Sequence, residues 1–538
     1  MQVPRYEGRL ELTWTNKDQC LLAHDDGSYE WLPPSDYRVA EVRLLDDVRS
    51  VGATTKQRAA DNLLIEGDAL LALTALAKVP EFRKEYWGKV KLVYVDPPFN
   101  TQRSWLHYDD ALEHSVWLAM MRDRLVQIQN LLADDGSIYV HCDASESHYL
   151  KAVMDDVFGR SNFRTEIIWK RTTAHSDAKT WSQVTDSILF YSMSQTITWN
   201  PPYLEHGEDY VAAKYRSVDA GGRRYQLDNL TSPNPRPNLT YEWKGFAAPA
   251  FGWRYSVETM TKLDAEGRIW YPQDKTKRPR LKRYLDESKG RLADNLWTDI
   301  SPVNSQAKED SGYATQKPEK LLQRIIAASS NEEDIVLDCF LGSGTTAAVA
   351  HKMGRRWVGI ERSRESIEKH TAPRLTKVID GTDQGGISAD QGWEGGSGFR
   401  VLRVAPSMFE ADGGMVFLSD TMTNGRLAEA TAAQLGFDYD SEPPFVGRKG
   451  RARLAVIDGI ANEGVVKLLV VALAEGERVV VCGTGIDPAA RALLKELAPG
   501  STLRKIPAAL LDRYRASEAR ARTTRTSATA TSQPEVSN

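Results

Sequence analysis

The segment KLVYVDPPF, residues 91–99, joins a short apolar strand to residues that could do chemistry. Asp96 carries a carboxylate, and Phe99 carries a flat aromatic face. Pro97 and Pro98 fix φ at successive positions and remove two backbone donors, which leaves bare carbonyls. Because the residue before a proline is kept out of the helical region, we expect Asp96 to be extended. The pattern predicts a stiff loop at a strand end, on the edge of a parallel α/β sheet where ligands bind.

A second candidate site lies in VLDCFLGSGTT, residues 336–346. A strand ends on Asp338, and Gly342 and Gly344 permit a tight turn before a helix begins. The following strand, WVGIE, ends on Glu361, about where an acid could bind ribose hydroxyls. This is the general shape of a nucleotide- or nucleoside-binding turn, although such turns also serve helix–sheet packing alone. An NAD site is the alternative, but GSGTT lacks the third glycine of GxGxxG.

The elements that must position these two segments alternate between strands and helices. NLLIEGDALLALTAL indicates a strand, a turn and a helix, and WLAMMRDRLVQIQNLL is amphipathic at helical spacing. DGSIYVHCD, EIIWKR and DSILFYS are strand-like, and KPEKLLQRIIAASS begins the pattern again after a long interruption. This alternation predicts an α/β fold with a mostly parallel sheet. Beyond residue 399, LAVID, KLLVVAL and RVVVCGTG are read as strands of a small C-terminal α/β domain.

Length and composition limit the classes of protein to which the chain can belong. A chain of 538 residues exceeds one ordinary core, so two or three domains are expected. The net charge of -4 excludes a global basic field, so any nucleic-acid surface must be local. Four scattered cysteines disfavour a zinc site or a disulfide framework. With no apolar leader or membrane-length run, we expect a soluble protein, and the absence of GxxxxGK[ST] disfavours an ATP-driven motor.

The two segments, in this order and with QKPEKLLQRII upstream of the second, resemble the β class of S-adenosylmethionine-dependent DNA amino-methyltransferases. The resemblance covers roughly residues 63–368 and includes EGD, DPPFNT, DGSIYVHCD, TQKPEKLL, DCFLGSGTT and GRRWVGIE. It is closest to type III modification (Mod) subunits and their stand-alone relatives. It implies a Rossmann-like methyltransferase sheet whose catalytic half precedes its cofactor half, with an inserted target-recognition region between them.

The predicted organisation divides the chain into seven segments. They are an N-terminal extension (1–60), the catalytic half (61–198), the target-recognition region (199–306), the cofactor-binding half (307–375), a flexible linker (376–398), a C-terminal α/β domain (399–515) and a disordered tail (516–538). The linker is inferred from its glycine-rich composition, and the tail from its polar, low-complexity sequence.

The resemblance assigns the catalytic chemistry to Asp96, Pro97, Pro98 and Phe99. The Asp96 carboxylate would accept one hydrogen of adenine N6 and the Pro97 carbonyl the other, which draws the nitrogen toward sp³ geometry and frees its lone pair. Phe99 would stack on the base, which must first leave the duplex. No metal is expected, because the sulfonium is already the electrophile.

The resemblance also implies S-adenosylmethionine as cofactor and a set of residues that bind it. Glu361 would bind the ribose hydroxyls, Asp68 would lie near the cofactor's adenine, and Cys339 departs from the family's usual proline. Asp143 either faces the pocket or is a solvated acid at a strand end. The remaining cofactor residues, around the methionine part, are Gln316, Lys317, Pro318, Asp338, Phe340, Gly342, Gly344, Thr345 and Thr346.

Residues 199–306 are the candidate recognition region, rich in proline, glycine, aromatic and basic residues. Tyr241, Trp243 and Trp253 could stack on a displaced base, although each is more typical of a core. The basic run KTKRPRLKR either neutralises DNA phosphates or is a solvated loop. The candidate phosphate contacts are Lys275, Lys277, Arg278, Arg280, Lys282 and Arg283.

The resemblance favours adenine N6 as the target, because relatives acting on cytosine N4 mostly carry serine at the position of Asp96. Cytosine N4 methylation and a catalytically inactive DNA-binding subunit are the alternatives. Double-stranded DNA is the expected partner, and a separate restriction subunit and a homodimer are left open. The implied location is the prokaryotic cytoplasm, in association with the nucleoid and not with a membrane.

Overall fold

The computed structural model describes residues 12–24, 28–99, 104–105, 108–109, 113–174, 179–413, 415–423, 425–440 and 442–512. The end of the DPPFNT motif and the predicted tail lie outside these residues. The chain divides into two compact units. Residues 201–294 form the inserted unit, and the described residues before and after them form the main unit.

Twenty-seven strands are defined in the described residues. In chain order they are β1 (Cys20–Ala23), β2 (Tyr29–Leu32), β3 (Leu45–Gly52), β4 (Asn62–Glu66), β5 (Val90–Val95), β6 (Ser104–Trp105), β7 (Tyr108–Asp109), β8 (Leu132–Cys142), β9 (Phe163–Lys170), β10 (Thr185–Ser192), β11 (Tyr203–Leu204), β12 (Ser217–Val218), β13 (Arg224–Asn229), β14 (Ile269–Trp270), β15 (Arg280–Tyr284), β16 (Arg291–Leu292), β17 (Leu296–Trp297), β18 (Ile335–Asp338), β19 (Arg356–Glu361), β20 (Gly398–Val404), β21 (Phe409–Asp412), β22 (Met415–Leu418), β23 (Asp438–Tyr439), β24 (Gly447–Lys449), β25 (Ala452–Ala461), β26 (Arg478–Ile486) and β27 (Thr502–Lys505).

Fifteen α-helices accompany the strands in the described residues. They are α1 (Tyr37–Ala40), α2 (Ala69–Lys78), α3 (Pro80–Tyr86), α4 (His114–Leu131), α5 (Ser147–Met154), α6 (Glu208–Lys214), α7 (Val257–Ala265), α8 (Glu319–Ser329), α9 (Thr345–Lys352), α10 (Arg364–Ser366), α11 (Ala372–Ile379), α12 (Ser388–Gln391), α13 (Arg426–Leu435), α14 (Glu463–Val471) and α15 (Pro488–Leu497). A π-helical turn, Ile367–Thr371, joins α10 to α11. None of these helices is long and apolar enough to cross a membrane.

The main unit is built on a ten-stranded sheet with the order β17-β9-β10-β8-β5-β18-β19-β4-β20-β3. The central strands β8, β5, β18, β19, β4 and β20 run parallel, whereas β10 and β3 are antiparallel to their neighbours. The predicted α/β class with a mostly parallel, Rossmann-like sheet is therefore confirmed. β5 and β18 are neighbours although their sequences lie far apart, so Asp96 and Asp338 come to the same edge.

Helices cover both faces of this sheet, which explains why its central strands β4, β5 and β18 are mostly apolar and buried. Successive residues of β5 belong to opposite cores: Val93 and Val95 pack in one cluster with α2 and α4, and Leu92 and Tyr94 in the other with α8, α9 and α11. Side chains alternate along a strand, so a strand buried on both faces loses the polar alternation of a half-exposed one.

The segment 376–398, expected to be a flexible linker, carries ordered structure instead. It begins in α11, contains α12 and leads into β20, which joins the main sheet beside β4. Lys352 explains part of this order, because its buried ammonium pairs with Glu319 at 2.8 Å and with Asp383 of this segment at 2.7 Å. A buried cation needs such partners, so the segment is held against α8 and α9.

The regions at the two ends of the chain also extend the main unit. β3, from the predicted N-terminal extension, is the edge strand paired with β20. Residues 438–505 form a second, five-stranded sheet, β23-β24-β25-β26-β27, with its own core. KLLVVAL, expected to be a strand, lies largely in α14, where Asn462 caps the helix and Val466 and Leu469 are buried at helical spacing.

The inserted unit begins at Pro201 and ends at Asp294, inside the predicted limits of 199 and 306. The chain rejoins the main sheet early, because β17 pairs with β9. The unit contains the four-stranded sheet β12-β13-β15-β14 and the helices α6 and α7. Trp243 and Trp253 lie in its small core with Met260 and Leu281.

Candidate active site at the edge of the main sheet

Asp96 follows β5 directly and holds a half-buried carboxylate. Its Oδ2 atom lies 2.5 Å from Nζ of Lys317. Its Oδ1 atom is buried and receives no hydrogen bond from the described residues. A buried acceptor without a donor destabilises a protein by about 1–3 kcal/mol. Such an oxygen is therefore a candidate to accept a hydrogen bond from a ligand.

The two prolines present their carbonyls differently. The indole Nε1 of Trp117, a fully buried residue of α4, donates a hydrogen bond to the Pro98 carbonyl at 2.7 Å. No described residue donates to the Pro97 carbonyl. The loop is therefore held through Pro98, while Asp96 and Pro97 keep acceptors for a ligand. Trp117 was not predicted, because a tryptophan at a buried helix position carries no sign of its partner.

A buried polar network lies behind Phe99. The ring of His141, in β8, is 5.5 Å from the Phe99 ring. Its Nδ1 atom is 2.8 Å from the Tyr94 hydroxyl and its Nε2 atom 3.2 Å from Asp186, which also pairs with Arg171 at 2.8 Å. Burial opposes ionisation of Asp186, but the hydrogen bond with His141 and the charge of Arg171 hold its pKa below the ordinary value.

His141 was missed by sequence reasoning, although it lies in DGSIYVHCD. The available signal is its position: a histidine inside a strand that is otherwise apolar needs a buried partner. Asp143, two residues on, accepts hydrogen bonds from the backbone N–H and the hydroxyl of Ser145, at 2.9 and 3.2 Å. It therefore closes a turn after β8, and burial raises its pKa.

Asp338, at the end of β18, is fully satisfied by the glycine turn that follows it. Its Oδ1 accepts the Phe340 N–H at 2.9 Å, and its Oδ2 accepts the Thr346 hydroxyl at 2.6 Å. Burial raises the pKa of Asp338 to about 7, and the nearby carboxylates of Asp96 and Glu361 act in the same direction.

Glu361, at the end of β19, ties the next strand to the same turn. It accepts the N–H groups of Gly342 and Ser363, each at 2.8 Å, and burial raises its pKa. Gly342 and Gly344 have φ of 51° and 82°, a region that favours glycine. A Cβ at Gly344 would lie 3.1 Å from Thr371, so the turn has both backbone and steric reasons for its glycines.

The turn leads into α9, whose first residue, Thr345, links it to the TQKP segment. The Thr345 hydroxyl donates to the Lys317 carbonyl at 3.2 Å and accepts from Arg374 at 2.8 Å. Arg374 in turn pairs with buried Glu319 of α8 at 2.8 Å. Lys317 therefore connects the two predicted sites, with its main chain at the glycine turn and its ammonium at Asp96.

Two predicted cofactor residues are engaged by other protein groups. Gln316 accepts hydrogen bonds from Ser311 and donates to the Glu309 carbonyl at 2.6 Å, which closes the loop before Lys317. Asp68 caps α2 through the Leu70 N–H at 2.8 Å and pairs with Arg124 at 2.7 Å. The Arg124 guanidinium lies 5.9 Å from the ring of Phe340, so Asp68 and the glycine turn are neighbours. Pro318 is the buried residue that precedes α8.

The basic run belongs to the inserted unit and is partly a strand. Arg280, Lys282 and Arg283 lie in β15, so the solvated-loop alternative does not hold for them. Alternate side chains of a strand point to opposite faces, which separates Arg283 from the other two. Arg283 pairs with Asp228 at 3.1 Å. Outside the strand, Lys275 lies 4.0 Å from the Phe246 ring, and Lys277 and Arg278 are exposed.

Trp181 is an exposed aromatic side chain that sequence reasoning did not single out. It is 96% exposed and lies on the connection between β9 and β10. This connection is at the same edge of the sheet as the Asp96 loop, because β8 is parallel to β5 and antiparallel to β10. A tryptophan at this edge is available to a large ligand.

Comparison with known proteins gives a family and several relatives. A family model described as DNA methylase matches residues 90–372, which is more than half of the chain. The probable type III restriction-modification enzyme HindVI Mod subunit of Haemophilus influenzae is 34% identical over 415 residues, covering 64% of this chain and 54% of that protein. The type II methyltransferase M.EcaI of Enterobacter cloacae is 35% identical over 284 residues, covering 51% and 62%.

Among solved structures, the M1.HpyAVI–SAM complex is 14% identical and covers 58% of this chain and 98% of its own, with a TM-score of 0.32. The chain spans less than two thirds of the length of the two curated relatives described above.

Proposed function

The chain belongs to the DNA methylase family, and from that premise we propose that it transfers a methyl group from S-adenosylmethionine to N6 of a flipped adenine in duplex DNA. The observation that carries the proposal is the buried Oδ1 of Asp96, which has no donor among the described residues and lies three residues before the ring of Phe99. The amino group of an aromatic base can donate a hydrogen bond to this oxygen, and the base itself can stack on the Phe99 ring.

Two acceptors of the Asp96 loop bind the two hydrogens of the target amino group. Asp96 Oδ1 accepts one N6 hydrogen and the Pro97 carbonyl accepts the other, which draws the nitrogen toward sp³ geometry and frees its lone pair. Trp117 holds the Pro98 carbonyl, so the loop keeps its shape while it binds the base. The network of Tyr94, His141 and Asp186 supports Phe99 from behind. These groups bind the base and orient its amino nitrogen for attack on the methyl group.

The glycine turn fits S-adenosylmethionine. Gly342 and Gly344 adopt positive φ, which lets the chain turn tightly between the end of β18 and the start of α9. The first N–H groups of α9 have no intrahelical partner and can bind a carboxylate. Glu361 keeps free lone pairs on both oxygens for hydroxyl donors. When bound, the cofactor supplies a methyl group on a sulfonium, an electrophile that needs no metal.

Adenine is preferred to cytosine because the loop carries Asp96 where relatives acting on cytosine N4 mostly carry serine. Double-stranded DNA is the proposed partner, with exposed Lys277, Arg278 and Arg280 of the inserted unit as phosphate contacts. The inserted unit would then serve as the target-recognition region. Because the relatives include a Mod subunit, we also propose a separate restriction subunit as a partner and the cytoplasm as the location.

The test is to incubate the purified protein with duplex DNA and methyl-labelled cofactor, digest the DNA and identify the labelled nucleoside. We expect N6-methyladenine from the wild type and from Asp134→Ala, an exposed acid near the start of β8. Asp96→Ala should yield no label.

Three results would contradict parts of the proposal. N4-methylcytosine as the main product would contradict the base, and label in RNA but not in DNA, when both are supplied, would contradict the substrate. DNA binding without any label would favour the inactive subunit.

A further inference from the structure

We propose that the Lys317 ammonium is a placeholder for the target base, which displaces it from the face of Phe99 while donating to the other oxygen of Asp96. This inference rests on the proposed function and goes beyond the predicted role of Lys317 in cofactor binding. It makes withdrawal of one lysine side chain a required step in the binding of the flipped base.

The first observation is that one ammonium contacts both groups that the base needs. Lys317 Nζ lies 2.5 Å from Asp96 Oδ2 and 4.9 Å from the centre of the Phe99 ring. The two side chains are largely enclosed, with 11% of Lys317 and 19% of Asp96 exposed. An amino group on an aromatic ring offers the same pair of interactions, a hydrogen bond to the carboxylate and a contact with the ring face.

The second observation is electrostatic. A largely buried carboxylate needs a counter-charge or several hydrogen-bond donors. Lys317 supplies that charge to Oδ2, and no described residue supplies a donor to Oδ1. A base that donates to Oδ1 gives the carboxylate a hydrogen bond as the ammonium withdraws from the ring face. The carboxylate therefore has a partner both before the base binds and after the ammonium withdraws.

The third observation is that Lys317 can exchange without moving its backbone. Its carbonyl accepts the Thr345 hydroxyl at 3.2 Å, and Pro318 and α8 follow directly. The four-carbon stem of lysine is flexible and ends in a single point charge. The ammonium can therefore withdraw while the glycine turn stays in place. An arginine, with a planar fork that can bind both carboxylate oxygens, would exchange less readily.

The experiment measures how much the target adenine contributes to binding. Once the modified sequence is known, two duplexes are compared, one with adenine at the target position and one with an abasic site there. Binding is measured with S-adenosylhomocysteine present, so that no transfer occurs. The ratio of the two affinities is the contribution of the base. Wild type, Lys317→Met, Lys317→Gln and Lys317→Arg are compared with Lys320→Met, an exposed lysine of α8.

Loss of the ammonium should raise this ratio by about tenfold in Lys317→Met and Lys317→Gln, because the base then no longer displaces a cation from the face of Phe99. Lys317→Arg should lower the ratio, and Lys320→Met should leave it unchanged.

An unchanged or reduced ratio in both neutral variants, with folding intact by thermal melting, would overturn the proposal. Failure of the proposed function is distinguishable, since the wild type itself would then make no N6-methyladenine.

Discussion

The Asp96 loop and the glycine turn lie side by side on one edge of the sheet, but their carboxylates differ in the hydrogen bonds that they accept. In the turn, Asp338 and Glu361 each accept hydrogen bonds on both oxygens from nearby protein groups. In the loop, one Asp96 oxygen has no donor among the described residues, and the other pairs with the Lys317 ammonium.

Under the proposed function, this difference separates a scaffold from the site that binds the target base. The acids of the turn hold its backbone in shape, so a ligand there meets a preformed surface. The acid of the loop is left with partners that a ligand can replace. Substitutions in the two regions should therefore fail in different ways.

The largest effects should come from the acids themselves. Asp96→Ala should lower methyl transfer by about 10³-fold or more, because no acceptor would then draw on the amino group. Its affinity for S-adenosylhomocysteine should stay unchanged in a calorimetric titration. Asp338→Ala should lose that affinity and also melt at a lower temperature. Equal loss of cofactor affinity in both variants would remove the distinction between the two regions.

A smaller effect should follow when the support of the loop is removed. Trp117→Phe keeps an aromatic ring but leaves the Pro98 carbonyl without its donor. The lost hydrogen bond should lower kcat/KM for transfer by about tenfold, with little change in cofactor affinity. Trp87→Phe, at the half-exposed tryptophan that follows α3, is the matched control. An unchanged kcat/KM would show that Pro98 needs no anchor.

The contrast extends to the inserted unit, where exposed and paired cations share one strand. Arg280→Ala should reduce the slope of log affinity for DNA against log salt by about 0.9, the value of one phosphate contact. Arg283→Ala should change this slope less, because Arg283 already pairs with Asp228 at 3.1 Å. Equal slopes for wild type and both variants would remove β15 from the DNA-contacting surface.

The remaining prediction is a pH dependence of stability at Asp338. Burial raises its pKa to about 7 in the folded protein, whereas the unfolded value is about 3.9. Its stabilising contribution is therefore complete below about pH 4 and is lost as pH rises through about 7. Without cofactor, the melting temperature of wild type should fall relative to Asp338→Asn between about pH 5.5 and about pH 8. A constant difference between the two proteins would contradict the raised pKa.

Much of the fold and both motif segments could be predicted from the sequence, because local patterns determine them. Apolar strands, the Asp-Pro-Pro loop and the glycine turn each have a short signature. KLLVVAL shows the limit of such patterns: its β-branched residues favour a strand, but the Asn462 cap and the burial of Val466 and Leu469 place it mainly in a helix. The 376–398 segment shows the same limit, since its glycine content hides the pairing of Asp383 with Lys352.

The partners of the site residues could not be predicted, because they are tertiary contacts. Lys317 and Asp96 are 221 residues apart, and Trp117 meets Pro98 only through the packing of α4. His141 and Asp186 lie on adjacent antiparallel strands whose register no motif reveals. Sequence similarity gave Lys317 a place near the cofactor, and only the three-dimensional contact connects it to the acid of the loop.

The central claim is that Asp96 directs methylation of adenine N6 in DNA. The most direct measurement is base-resolved sequencing of DNA from cells that carry the wild-type gene or its Asp96→Ala variant. The wild type should produce N6-methyladenine at one defined sequence, and the variant should produce none at the same protein level. Identical modification maps for the two strains, or N4-methylcytosine at that sequence, would contradict the claim.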